Sequence, residues 1–89
     1  MNSYEMTFIT ASDKKEILTA LEKLITDLKG TISEQKPWGK REFAYTIKKL
    51  TEGYYFTWYF SLEAPSLAEF RKKMDINTDI LRYLLLKKD

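Results

Sequence analysis

The chain has 89 residues, of which 44% are hydrophobic and 15% aromatic, and its formal net charge at pH 7 is +2. This length predicts a single domain over residues 1–89, because two separate cores would each be too small. The sequence contains no cysteine and no histidine, which excludes disulfides, thiol catalysis and the usual zinc sites. With so small a net charge, any nucleic-acid binding must come from a local basic patch or from a partner.

Neither a targeting segment nor a membrane span is expected. The N-terminal segment MNSYEMTF lacks the basic stretch and long apolar run of a signal peptide. The apolar runs elsewhere are too short to cross a bilayer. We therefore expect a cytoplasmic protein.

The first predicted elements are a strand and an amphipathic helix. Residues 4–11 show the period-two alternation of a strand. Ser12 or Asp13 is the expected N-cap of the helix, with Glu16 completing a capping box. Gly30 is expected to end the helix in a left-handed conformation. The predicted apolar face of this helix consists of Ile17, Leu18, Leu21, Leu24, Ile25 and Leu28.

The middle of the chain predicts a hairpin. Its first strand covers residues 31–50, and Pro37 places it at a sheet edge or bulge because proline has no N–H to donate. The turn is expected in the segment TEG at residues 51–53, and the second strand at residues 54–63. In that strand, Phe56, Trp58, Phe60 and Leu62 lie on one side, and Tyr55, Thr57, Tyr59 and Ser61 on the other.

A second helix and a last strand complete the predicted fold. Pro65 and Ser66 open the helix, where Ser66 and Glu69 form a second capping box. Residues 81–87 form the last strand, but apolar side chains at both parities leave open which side faces inward. The order βαββαβ predicts an α+β, ferredoxin-like fold, in which a four-stranded antiparallel sheet carries both helices on one face.

The other face of this sheet has no helix to cover it. We expect Phe56, Trp58 and Phe60 to pack under the helices with Met6 and Phe8. The tyrosines expected on the uncovered face are Tyr55 and Tyr59, together with Tyr45 or its neighbours from the second predicted strand. They either stiffen the sheet through cross-strand pairing or form a docking surface for a protein or for stacked bases.

Basic residues flank the hairpin and the last strand, and they are candidates for phosphate contacts. They are Lys40, Arg41, Lys48, Lys49, Arg82, Lys87 and Lys88. Lysines on an edge strand also prevent edge-to-edge aggregation, which is the alternative role of Lys48 and Lys49. The basic group at residues 71–73 of the second helix is typical of a solvated face.

The sequence gives little support to catalysis. It has no glycine-rich phosphate loop, and its carboxylates are scattered among lysines. An enzyme or a ligand-binding regulatory domain on the same fold would need loop chemistry that this sequence does not offer. We predict no catalytic residue, no cofactor and no metal site.

One segment resembles a known family. Residues 39–47, GKREFAYTI, followed by Gly53 and Tyr54, resemble the sixth protein of the bacterial small ribosomal subunit. Members of that family typically read glycine, basic, arginine, any residue, leucine, alanine, tyrosine, proline and isoleucine there. The opening Tyr4-Glu5, the turn at Gly30 and the closing strand entered through residues 77–82 agree in order and spacing. The resemblance covers nearly the whole chain.

The resemblance implies a structural protein of the small ribosomal subunit with a ferredoxin-like fold. Such proteins pair with the eighteenth small-subunit protein (S-eighteen), and the pair binds the central domain of small-subunit rRNA. The partner would then supply much of the phosphate-binding charge. The three tyrosines named above would dock the partner, and the seven basic residues would position the pair on phosphates.

The chain departs from the family pattern at several positions. Thr46 replaces the family's proline, and Asn2 and Ser3 replace basic residues that are common after the initiator methionine. The main alternative is an RNA-recognition-motif domain, which has the same order of elements and stacks single-stranded bases on third-strand aromatics. Glu52 disfavours this alternative, since that motif has a basic residue before the glycine.

Overall fold

The element order βαββαβ is confirmed. The computed structural model describes residues 1–88, so Asp89, the last residue of the predicted domain, lies outside them. The elements are β1 (Asn2–Thr10), α1 (Lys15–Asp27), β2 (Thr31–Ile47), β3 (Leu50–Leu62), α2 (Ala64–Asp75) and β4 (Ile80–Lys87). The strands form one four-stranded sheet in the order β2-β3-β1-β4, and all neighbours are antiparallel. None of the helices within residues 1–88 is long and apolar enough to cross a membrane.

Strand alternation places the aromatic core under the helices, as predicted. Met6 and Phe8 of β1 lie opposite Trp58 and Phe56 of β3. The ring of Phe8 stacks on Phe56 at a centroid distance of 5.2 Å and meets the edge of Trp58 at 5.3 Å. The helices close this core with the buried side chains of Ile17, Leu21, Ile25, Phe70 and Met74. Both helices therefore cover the same face of the sheet.

The helix ends differ from the sequence prediction. Lys14 is the N-cap of α1 and Glu63 that of α2, and neither side chain makes a capping hydrogen bond. The predicted caps Ser12, Asp13 and Ser66 were therefore wrong. α2 begins earlier than predicted because proline near the start of a helix has a fixed φ and no N–H that needs a partner.

Gly30 has a different role from the one predicted. The left-handed residue after α1 is Lys29, with a φ of 63°, and not Gly30. A Cβ atom at residue 30 would lie 2.6 Å from both Leu62 Cδ2 and Ser61 O. Glycine is needed here because the chain leaving α1 passes directly against β3.

The hairpin turn lies at Lys48 and Lys49, and the prediction of a turn at residues 51–53 was wrong. The φ angles of the two lysines are 50° and 67°, so both are left-handed, as a two-residue hairpin loop with the twist of its strands requires. Gly53 instead lies within β3, opposite Arg41. A Cβ there would lie 2.8 Å from the Phe43 ring and 2.9 Å from the side chain of Ile9. Gly53 thus lets the side chains of Phe43 and Ile9 pack against the backbone of β3, and it does not form the turn.

The structure also decides the facing of the last strand. Leu85 and Tyr83 lie opposite Met6 and Phe8, so they face the helices, where both pack against the core. The Tyr83 hydroxyl donates a 2.6 Å hydrogen bond to Asp75 Oδ1 at the end of α2. Partial burial raises the pKa of Tyr83, and this hydrogen bond raises it further.

Candidate interface on the free face of the sheet

The side of the sheet opposite the helices is called the free face. The strand pairing places the following side chains on it: Glu5, Thr7 and Ile9 from β1, Tyr55, Thr57 and Tyr59 from β3, and Arg82, Leu84 and Leu86 from β4. Their neighbours at the other parity form the buried core. The alternation of β3 predicted from the sequence is therefore confirmed.

Two ring contacts hold Tyr55 and Tyr59 on this face. Tyr55 packs on Phe43 at 6.1 Å between ring centroids. The Lys36 ammonium lies 5.5 Å from the centre of the Tyr59 ring, and both belong to the free face of the β2–β3 pair. Tyr55 and Tyr59 are half-buried by these neighbours.

Tyr45 is much more exposed and lies at the end of the hairpin. Tyr45 is 63% exposed, and the centre of its ring lies 5.7 Å from the guanidinium carbon of Arg82. Tyr45 belongs to β2 and Arg82 to β4, which are opposite edges of the sheet. The contact requires the end of the hairpin to fold across the end of β1. An irregularity in the pairing of β2 between Glu42 and Ile47 permits this bend.

Trp38 belongs to the same face, although its sequence pattern does not predict it as a site residue. Trp38 is 53% exposed, while its Nε1 donates a 2.8 Å hydrogen bond to Thr57 Oγ1. The hydroxyls of Thr57 and Thr7 lie 3.1 Å apart. This chain of hydrogen bonds holds an exposed indole in one orientation. The signal in the sequence is a tryptophan next to Pro37, where the proline predicts a bulge of an edge strand.

Leucines of β4 extend this apolar surface to the opposite edge of the sheet. Leu84 is 59% exposed and Leu86 is 46% exposed. Leu84 lies opposite Thr7, so Trp38, Thr57, Thr7 and Leu84 form a row across all four strands. The sequence could not identify these leucines, because residues 83–86 are apolar at both parities.

The structure separates the candidate basic residues by position. Lys40, Arg41, Lys48, Lys49 and Arg82 lie toward the hairpin end of the sheet. Lys48 and Arg82 line the same surface depression beside the end of α2. Lys87 is the last residue of β4 and Lys88 follows it, about 20 Å from Arg82 at the rise of an extended strand.

Lys40 and Lys88 form ion pairs with carboxylates of this chain. Lys40 Nζ lies 2.9 Å from Glu52 Oε1, and the hydrogen bond to Glu52 raises the pKa of Lys40. Lys88 Nζ lies 3.4 Å from Glu5 Oε1. Both pairs are exposed enough that phosphate oxygens can compete for the ammonium groups. In the described part of the chain, no group of three or more histidine, cysteine, aspartate or glutamate residues is arranged to hold a metal ion.

Comparison with known proteins places the chain in one family. The family model of ribosomal protein S6 matches residues 3–87. Small ribosomal subunit protein bS6 of Ehrlichia chaffeensis is 37% identical over 94 positions, which cover 100% of this chain and 86% of that protein. The bS6 protein of Lactobacillus acidophilus is 39% identical over 92 positions, covering 97% and 94%. The crystal structure of 30S ribosomal protein S6 from Thermotoga maritima superposes with a TM-score of 0.86 at 30% identity, covering 98% of this chain and 87% of that one.

Proposed function

Because this chain belongs to the ribosomal protein S6 family, we propose that it pairs with S-eighteen through the free face and that the pair binds the central domain of small-subunit rRNA. Family membership makes the chain a protein of the small ribosomal subunit, a cytoplasmic particle in bacteria, and not an enzyme. The pairing and the RNA site are the parts that require a test.

The observation that carries the proposal is the exposure of large apolar side chains across the free face. They are Trp38, Tyr45, Leu84 and Leu86. Contiguous exposed apolar surface is unfavourable in water and commonly marks an interface. Charged groups on this face are largely matched, since Lys36 pairs with Glu34 and Lys88 with Glu5. A face of this kind suits a protein partner better than a phosphate backbone.

Trp38 has the properties of an interface anchor. Tryptophan, tyrosine and arginine supply a large share of binding energy in protein interfaces. The hydrogen bond to Thr57 already fixes the orientation of the indole, so less conformational entropy is lost when a partner covers it. We expect Trp38 to contribute more than Tyr55 or Tyr59, which are already half-buried in the free chain.

The basic residues at the hairpin end would then lie at the rim of the paired proteins. Arg41, Lys48, Lys49 and Arg82 project there without a carboxylate partner among the ion pairs seen in residues 1–88. Phosphate contacts from such side chains release counterions and make affinity depend on salt. The low net charge of the chain is consistent with a partner that brings further positive charge.

The pairing is tested by titrating S-eighteen with the variants Trp38→Ala, Tyr45→Ala and Leu84→Ala. We expect Trp38→Ala to weaken binding by about tenfold or more, which corresponds to about 1.4 kcal/mol. Ile76→Ala is the matched control, because Ile76 is 73% exposed but follows α2 on the helix side. Equal affinity for all variants would remove the free face from the proposal.

The RNA part of the proposal is tested with the chain alone and with the pair. We expect the pair to bind a central-domain rRNA fragment, and the isolated chain to bind it much more weakly. Strong binding of the isolated chain to unrelated single strands would instead support the RNA-recognition-motif alternative, in which bases stack on the free face.

A further inference from the structure

The two edges of the sheet differ in how they are protected. The outer strand β2 carries Pro37, three irregularities in its pairing, and a dense set of charged side chains. Such features prevent another strand from adding to an edge. The outer strand β4 carries none of them between residues 83 and 86, which read Tyr-Leu-Leu-Leu. β4 is therefore a regular, apolar edge.

The main-chain hydrogen-bonding pattern of β4 follows from one contact. The Lys88 N–H donates a 2.7 Å hydrogen bond to Ser3 O, so Ser3 and Lys88 form a hydrogen-bonded pair of the antiparallel ladder. Such pairs alternate along a ladder, and the next ones are Glu5 with Leu86 and Thr7 with Leu84. The intervening residues Tyr83 and Leu85 consequently point their N–H and C=O groups away from β1, toward the open edge.

We infer that the open edge of β4 accepts one extended segment of the partner protein as a fifth strand. The inference rests on the proposed pairing with S-eighteen and specifies how that partner is held. The segment exchanges main-chain hydrogen bonds with Tyr83 and Leu85, as in other cases of strand addition. The residues of the segment that pair with Tyr83 and Leu85 are not prolines, because proline has no N–H to donate.

The side chains of the added strand follow from the pleat of β4. Leu84 and Leu86 present apolar surface on the free face, and they are continuous with the row that begins at Trp38. A neighbouring strand brings its own side chains to within about 5 Å of these leucines. The segment therefore carries apolar side chains at alternate positions on that side. An RNA strand cannot supply this pattern of donors and apolar groups.

Amide hydrogen exchange of the full chain, measured by NMR with and without S-eighteen, tests the inference directly. In the free chain, the amides of Tyr83 and Leu85 should exchange much faster than those of Leu84 and Leu86, which are bonded to β1. In the complex, the Tyr83 and Leu85 amides should slow by at least tenfold. A complex that forms while these two amides keep their free rates would overturn the inference and leave the proposed function standing.

A chemical variant provides a second measurement. The segment from residue 80 onward is joined by ligation, either unmodified or with an N-methyl group on Leu85, which removes the outward donor and keeps the side chain. We expect the N-methyl chain to bind S-eighteen at least tenfold more weakly than the unmodified ligated chain, with an unchanged melting temperature. Equal affinity contradicts the inference.

Two further outcomes would also overturn the inference that β4 binds a strand of S-eighteen. If no complex with S-eighteen forms, the proposed function and the inference fail together. If the Tyr83 and Leu85 amides become protected as the concentration of this chain rises without any partner, the edge pairs with a second copy and the assignment to S-eighteen is wrong.

Discussion

Replacing Lys49 by glycine should stabilise the fold while weakening RNA binding. Lys48 and Lys49 form the hairpin loop with φ angles of 50° and 67°. A residue with a Cβ pays about 1–2 kcal/mol for this left-handed conformation. Glycine avoids that cost but loses about 0.5–1 kcal/mol more conformational freedom on folding. The expected net gain for Lys49→Gly is about 0.5–1 kcal/mol in the free energy of unfolding.

The gain is large enough to measure in a domain of this size. Each kcal/mol shifts the melting temperature of a 60–100-residue domain by about 4–8 °C, so we expect an increase of about 2–8 °C. Thermal and urea unfolding followed by circular dichroism give the change in stability. Lys29→Gly is the matched control, because Lys29 has a φ of 63° at the end of α1 and lies far from the hairpin.

The two variants should differ in RNA binding. Both remove one positive charge, but only Lys49 lies at the proposed phosphate surface. We expect Lys49→Gly to reduce the slope of log affinity against log salt for the S-eighteen pair by about 0.7–0.9, the value for one phosphate contact. Lys29→Gly should leave the slope unchanged.

Two results would refute this reasoning at different points. A melting temperature that falls or stays constant for Lys49→Gly, while Lys29→Gly raises it, would show that the hairpin loop is not strained by its lysines. Stabilisation by both substitutions with no change in the salt slope would remove Lys49 from the RNA-binding residues.

Three further predictions concern other parts of the molecule. Gly30→Ala should lower stability by about 1–3 kcal/mol in urea unfolding, because the new methyl group would meet Ser61 O and Leu62 at 2.6 Å; unchanged stability would mean that α1 and β3 separate at no cost. Arg41→Ala should lower the salt slope of RNA binding more than Lys40→Ala does, since the Lys40 ammonium is already held by Glu52. A larger drop in the slope for Lys40→Ala than for Arg41→Ala would show that the Lys40–Glu52 ion pair opens on binding. The raised pKa of Tyr83 means that its protonated form stabilises the fold below the unfolded pKa of about 10 and that this contribution is lost as pH rises through the folded value. Tyr83→Phe should therefore flatten the fall of stability above pH 10, and a wild-type slope in the variant would assign that fall to other groups.

Much of the fold could be predicted from periodic patterns. Residues 4–11 and 54–63 show the alternation of a strand, and the apolar face of α1 repeats at helical spacing, because burial on one side imposes these periods on the sequence itself. The same alternation predicted that Tyr55 and Tyr59 would lie opposite the core. The segment GKREFAYTI was sufficient to indicate the family.

Local sequence patterns do not predict which distant segments come into contact. Local patterns predict that Gly30 ends a helix and that Gly53 belongs to a turn, whereas each glycine makes room for another strand or side chain. The actual turn residues are lysines, which have no intrinsic preference for positive φ, so the pairing of β2 with β3 determines where the chain reverses.

The residues of the candidate interface also divide into those that local patterns predict and those that only contacts between distant segments place. Tyr55 and Tyr59 could be assigned to the free face from strand parity, but Trp38, Leu84 and Leu86 could not. Trp38 is placed by a hydrogen bond to Thr57, which lies 19 residues later in the chain, and the leucines are placed by their register with β1. The sequence by itself determined which side chains alternate along each strand. Only the tertiary structure decided which of them meet across strands, because register and close packing depend on residues far apart in the chain.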